Sequence, residues 1–149
     1  MTINVPELLT AMAARLAEVD GIASAHYPAP NYIDASECPA VVLYWGGDQD
    51  TLIEPDMNEE TWLPAIMARV MVPRNGDTPQ EFAKVDALLT PIVDTFPIGT
   101  VRLDGISGNV DVLYVNRLRP SLQVGYADSQ YYAAEVYFRC KFHRPQEVN

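Results

Sequence analysis

Residues 131–143 read Tyr131-Tyr132-Ala133-Ala134-Glu135-Val136-Tyr137-Phe138-Arg139-Cys140-Lys141-Phe142-His143. Successive side chains of an extended strand point to opposite faces, so Tyr132, Ala134, Val136, Phe138, Cys140 and Phe142 share one side. That side is apolar enough for a core. Tyr131, Ala133, Glu135, Tyr137, Arg139, Lys141 and His143 share the other, which is expected to face water or a partner, as in an antiparallel sheet covered on one face.

Working outward, the same period of two recurs in Gly99–Leu103 and Val110–Leu118, which are read as further strands. Pro39-Ala40-Val41-Val42-Leu43-Tyr44-Trp45 is rich in β-branched and aromatic residues, as a half-buried strand requires, and Gly46-Gly47 ends it. A short extended piece lies at 24–27, before Pro28 and Pro30. From Asp34 to Glu60 there are eight acidic residues and no Lys or Arg, so 46–60 is read as an exposed acidic loop. Trp62 to Val72 is expected to be a strand with Trp62, Ile66, Ala68, Val70 and Val72 on one side. Pro64 cannot donate to a ladder, so it suits an edge or a bulge.

Two helices complete the reading. Leu8, Leu9, Met12, Leu16 and Val19 fall at helical spacing over 5–19, with Asn4 and Glu7 placed for a capping box and Gly21 as the left-handed stop. Thr78-Pro79-Gln80-Glu81 combines a capping hydroxyl, a proline at the first helical position and a glutamate that can bond back. It opens a helix over 78–96 with Phe82, Val85, Leu88, Leu89, Ile92 and Phe96 as its buried stripe, kinked or shortened near Pro91. The fold class is α+β: a mainly antiparallel sheet of about four to five strands with two helices packed on one face.

The 149 residues amount to one domain, 1–149, since domains typically run to roughly 100–150 residues. The longest apolar run, Ala40 to Trp45, is far short of the roughly 20 residues that span a bilayer, and no basic stretch leads into an apolar one at the start. A soluble, non-secreted chain with no membrane partner is expected. Cys38 and Cys140 stand far apart without a CxxC, and are read as two reduced thiols.

Neither GxGxxG, GxxxxGK[ST] nor GxSxG occurs, and the two His and two Cys are scattered, so no catalytic residue, cofactor site or structural zinc is assigned. Asp48, Asp50, Glu54 and Asp56 have the oxygen ligands that a hard cation takes. The spacing fails a calcium loop, with Leu52 at the fifth position and no turn glycine. A solvated acidic stretch is the favoured reading, and a small metal-dependent enzyme or ligand-binding domain the distant alternative.

Charge is more informative. The net charge is −10, which disfavours general nucleic-acid binding. Residues 1–75 carry 3 basic and 11 acidic residues, whereas 102–144 carry six Lys or Arg against four acids. An acidic region and a mildly basic one suit head-to-tail contact between copies, which closes into a ring where the rotation permits. Arg117, Arg119, Arg139 and Lys141 are expected to meet Asp48, Asp50, Glu54 or Asp56 of a neighbour, with Tyr131 and Tyr137 on the same interface.

The order of elements resembles the tail terminator (tail completion) proteins of long-tailed bacteriophages, with a lambda tail-terminator-like fold. The matching elements are the helix Leu8–Val19, the strand 39–44, the extended strand 62–72, the capped helix 78–96 and the closing strand 131–139, about 1–144 in all. The resemblance rests on pattern and implies a structural virion protein. Such proteins form a six-membered ring on the head-proximal end of the tail tube, stop its polymerisation and present the head-joining surface. Its implied partners are copies of itself in a homo-hexameric ring, the tail tube protein and the head-completion or connector protein. Genomic DNA would pass through the bore without specific binding. The implied location is the virion tail or neck, with assembly in the host cytoplasm, and a head-closure or minor tail protein of the neck is the nearest alternative.

Overall fold

A computed structural model describes residues 5–45, 51–55, 59–74, 78–97, 99–101, 109–127 and 129–145, with side chains described for 5–45, 63–74, 79–97, 118–127 and 129–140. The first helix, α1, spans Val5–Leu16 and buries Val5, Leu8, Leu9, Met12, Ala13 and Leu16. Its end tightens, with Glu18 N bonding Arg15 O and Val19 N bonding Leu16 O, so it stops one turn before the expected 19. Gly21 follows at φ +91°, the left-handed stop expected of it, with Ile22 buried just beyond. The expected cap at Asn4 lies outside the described residues.

Among the described residues seven strands form one sheet: β1 Ser24–His26, β2 Ala40–Trp45, β3 Thr51–Pro55, β4 Glu59–Pro73, β5 Gly99–Val101, β6 Asn109–Tyr126 and β7 Ser129–Pro145. The order is β1-β2-β4-β7-β6-β5, with β3 beside the first part of β4. All pairings are antiparallel except that of β1 with β2. The α+β class holds, with more strands than the four to five expected.

The extra strand corrects the reading of 46–60 as a loop. Thr51-Leu52-Ile53 pairs with Leu63, Trp62 and their neighbours, Thr51 opposite Pro64 and Pro55 opposite Glu60. The acidic residues hid a run of good strand formers. Pro64 is also corrected, because β4 is a central strand, not an edge. Pairing of β4 with β7 lapses between Trp62↔Phe142 and Ala65↔Arg139 without a change of register. Arg139 Nη1 instead donates to Leu63 O at 2.8 Å, serving a carbonyl where the ladder lapses.

The helix expected over 78–96 is two helices, α2 Thr78–Asp86 and α3 Leu89–Thr95. Pro91 explains the position of the break. Within one continuous helix its ring would clash with Ala87 O and leave that carbonyl unbonded, whereas in the first turn of α3 it costs nothing. Glu81, expected to reach back to the cap, pairs with Lys84 Nζ at 3.0 Å.

The helices α1, α2 and α3 cover one face. Val41 and Leu43 of β2, Ile66, Ala68, Val70 and Val72 of β4, and Tyr132, Ala134, Val136, Phe138 and Cys140 of β7 meet α1, Val85, Leu88, Leu89, Ile92 and Phe96 in the main core. Phe82 packs at a tilt against Tyr132 with centroids 4.5 Å apart, and Phe96 meets Phe138 edge-on at 5.9 Å. Cys140 is buried here and Cys38 half-buried elsewhere, both as free thiols.

A candidate interaction face on the sheet

The opposite face is divided. Over one half runs a strap, residues 28–38, that ends in a 3₁₀ turn at Ala35–Glu37. Its Ile33 is buried against Ala40, Val42, Met71, Tyr131 and Ala133, which form a second, smaller core. Two phenols hold it: Tyr131 Oη donates to Ile33 O at 3.0 Å, and Tyr126 Oη donates to Pro30 O. Burial pushes the Tyr131 phenol above its ordinary value, so it remains a donor across the physiological range. Tyr131, expected at a subunit interface, is therefore corrected: it is only 3% exposed and belongs to the protein's interior. The face that periodicity assigned to water or a partner is interior at Tyr131, Ala133 and Glu135.

The other half of this face is built from rungs across four strands. Val42, Arg69, Glu135 and Arg119 stand opposite one another, followed by Tyr44, Met67, Tyr137 and Arg117, then by Ala65, Arg139 and Tyr114. Tyr44, Ala65, Met67, Tyr137 and Arg139 are half-buried, and among the described residues no segment seals them off as the strap seals Met71 and Ala133.

Glu135 organises the face. Its carboxylate is 1% exposed, yet it is flanked by Arg69, whose Nε and Nη2 lie 2.7 and 2.6 Å from Oε2. Arg119 Nη1 reaches Oε1 at 3.5 Å, and Tyr137 Oη donates to Oε1 at 2.9 Å. A buried carboxylate survives only when paired and hydrogen-bonded, and here both oxygens are served. Arg69 also lies over the Tyr44 ring, 5.2 Å from its centroid. One carboxylate thus fixes two guanidiniums, and their aromatic neighbours are ordered with them.

Arg119 reaches this rung because β6 is irregular. Register shifts occur between Val112 and Tyr114, Val115 and Arg117, and Arg119 and Leu122. Each extra residue moves the following positions to the opposite face, which aligns Arg117 and Arg119 with Tyr137 and Glu135. At the last bulge Ser121 takes φ +56°, held by Asp86 at the end of α2. Asp86 Oδ1 accepts from Ser121 N at 2.8 Å and Oδ2 from Ser121 Oγ at 2.6 Å.

Of the candidate interface residues, the structure brings together Arg119, Tyr137 and Arg139. Arg117 sits opposite Tyr137, and Lys141 opposite Asp111 of the same chain. Glu54 lies on β3 opposite Thr61, while Asp48, Asp50 and Asp56 lie outside the described residues. Arg69 and Glu135 escaped the sequence reading as a pair, although both are charged positions inside otherwise apolar strands. That is the signal that could have linked them.

Two other clusters have weaker chemistry. Ser24 Oγ donates to Glu37 O at 2.7 Å and faces His26 Nε2 at 2.9 Å, and that same nitrogen lies 3.7 Å from Glu37 Oε2. The hydroxyl proton is engaged by a carbonyl and one ring nitrogen serves both partners, so the trio fastens β1 to the strap and does not activate the serine. Cys38 lines a shallow open groove with Ala35, Pro39, Val72, Pro73, Glu81 and Lys84. Burial pushes its thiol up, and Glu37 and Asp34 add to this against a backbone hydrogen bond from Ala40, so the thiolate is disfavoured. Among the described residues no three His, Cys, Asp or Glu side chains converge as a metal site. No family model matches the sequence, and no curated protein is significantly similar to it.

Proposed function

We propose that this chain is a structural subunit that assembles with copies of itself into a ring, at the head-proximal end of a long-tailed bacteriophage tail, where it ends tube growth and forms the head-joining surface. The observation that carries the reading is the half of the outer sheet face that, among the described residues, no strap covers. There Arg69, Arg119 and Arg139 lie with Tyr44, Tyr137 and Met67 around a buried carboxylate. Arginine, tyrosine and methionine are the residue types enriched at protein interfaces, and preordered side chains lose little freedom on docking. The order of helix, strand, long strand, helical segment and closing strand adds support through the resemblance. Among the described residues no helix is long and apolar enough to cross a membrane.

The proposed ring meets the tail tube protein on one side and a head connector on the other, with DNA passing through. A net charge of −10 favours passage over retention, because phosphates are repelled. Electron microscopy of particles made without the gene tests the reading. Tails of uncontrolled length are expected; normal tails detached from heads would instead indicate a head-closure protein, and normal virions would overturn a role in the neck.

A further inference from the structure

We infer that the free protein pairs two by two through its outer sheet face, the strap of each copy lying on the bare half of the other. The inference goes beyond the ring and rests on that reading only in taking this face for a contact between proteins. The face has the shape of a step. The strap crosses it at Ala40, Met71 and Ala133, and the bare half lies further along the same strands at Tyr44, Met67 and Tyr137, where among the described residues nothing is laid over the sheet. A half-turn about an axis across the strands exchanges the two ends. Raised part then meets recess twice in one contact, which is the self-complementarity that a two-fold interface requires.

The two halves match in chemistry as well. Tyr32 is the exposed aromatic of the strap, 61% accessible beside the buried Ile33, and residues 27–39 carry Asp34 and Glu37 without a Lys or Arg. On the bare half Arg69 and Arg119 share one carboxylate, that of Glu135, which leaves one positive charge over. That charge rests on Arg119. Arg69 gives two nitrogens to Glu135, whereas Arg119 approaches by one nitrogen at 3.5 Å and its side chain is 40% exposed. An aromatic ring stacks on such a guanidinium, and tyrosine and arginine are among the types that dominate contact energies. The strap of a second copy supplies both the ring of Tyr32 and the opposite charge of Asp34.

The area is sufficient. Four strands at the usual spacing and three rungs at the usual rise make the bare half about 20 Å square, or about 400 Å². With a strap of similar width, each copy contributes about 800 Å², the standard size of a stable contact. Pairing hides the face that the ring uses, so pair and ring exclude one another, and the pair is the form that precedes assembly.

Sedimentation velocity of the free protein tests the pairing. Wild type is expected at twice the chain mass, and Tyr32→Ala and Arg119→Gln are each expected to weaken the pair by about tenfold or more, with folding checked by circular dichroism. Tyr32→Ala alters an exposed side chain, so it remains a fair test if Arg119→Gln fails to fold. Symmetry is read separately with Tyr32→Cys/Arg119→Cys, made together with Cys38→Ser and oxidised by oxidised glutathione. A two-fold contact joins the introduced thiols between copies into a covalent product of two chains and stops there. A ladder of longer products would show a head-to-tail contact, overturning the pair and leaving the ring standing. Wild type that stays monomeric at every concentration, or Tyr32→Ala that pairs as wild type does, would also overturn it. None of these results decides the ring, which stands or falls by the microscopy of particles made without the gene.

Discussion

Arg69 on β4 stands directly across the ladder from Glu135 on β7, with two guanidinium nitrogens within 2.7 Å of one carboxylate oxygen. The pair is an electrostatic joint between the two central strands, and removing half of it leaves a charge without its main partner. Arg69→Ala is expected to destabilise the fold by about 3 kcal/mol, at the lower edge of the range for broken buried pairs, because Arg119 and Tyr137 remain. Arg69→Met/Glu135→Leu should fall within about 1 kcal/mol of wild type, since the desolvation cost disappears with the charges. Urea unfolding of both variants checks this. Equal losses would show that the pair itself, and not the stranded carboxylate, carries the stability.

Asp86 caps the outermost bulge by binding the backbone and hydroxyl of Ser121. Asp86→Ala removes both bonds and is expected to cost about 1–2 kcal/mol. Ser121→Gly keeps the backbone bond and relieves a positive φ, so it should cost less than Asp86→Ala. A reversal of that order in thermal unfolding would mean that the hydroxyl, not the turn geometry, matters.

The strap depends on one plug and two phenols. Ile33→Ala should cost about 2–4 kcal/mol through the cavity left over Val42 and Met71, and Tyr131→Phe about 1 kcal/mol through the lost bond to Ile33 O. Limited proteolysis should then cut within 28–38 before anywhere else. Cleavage unchanged from wild type would show that the strap is held by something other than these contacts.

Cys140 supplies a pH dependence. Burial pushes its thiol up to about 12, so the fold favours the neutral form. The corresponding stability is complete below the unfolded thiol's pKa of about 8.5 and is lost as pH rises from there toward about 12, by up to about 1.4 kcal/mol per pH unit. Wild type should therefore lose more stability than Cys140→Ala between pH 8 and 10 in parallel denaturant titrations (about two units spanning the onset). Parallel curves would show that the thiol ionises in place.

Alternation along 131–143 was legible because periodicity is a local property, and so were the stripes of α1 and of the two later helices. The β3 strand was not, because Glu54 and Asp56 drew the reading toward solvent while Thr51, Leu52 and Ile53 had the propensity to pair. Pro91 was recognised as a disruption, but its effect falls four residues earlier, on Ala87. At the interaction face, Arg119, Tyr137 and Arg139 could be named from their positions, whereas the burial of Glu135 depends on strands 66 and 16 residues away. The burial of Tyr131 depends on an aperiodic strap whose fully buried apolar anchor is Ile33. Such long-range coverage leaves no trace in local pattern.

The three bulges of β6 have one more consequence. A foreign strand copies a straight, evenly spaced row of amides, and this row changes phase three times and contains Pro120. Backbone templating, the route to fibres and to irreversible clumping, is thereby discouraged along the sheet's longest flank. Joining between molecules is left to side-chain surfaces, whose grip loosens with added salt and can be undone and corrected during construction of a particle.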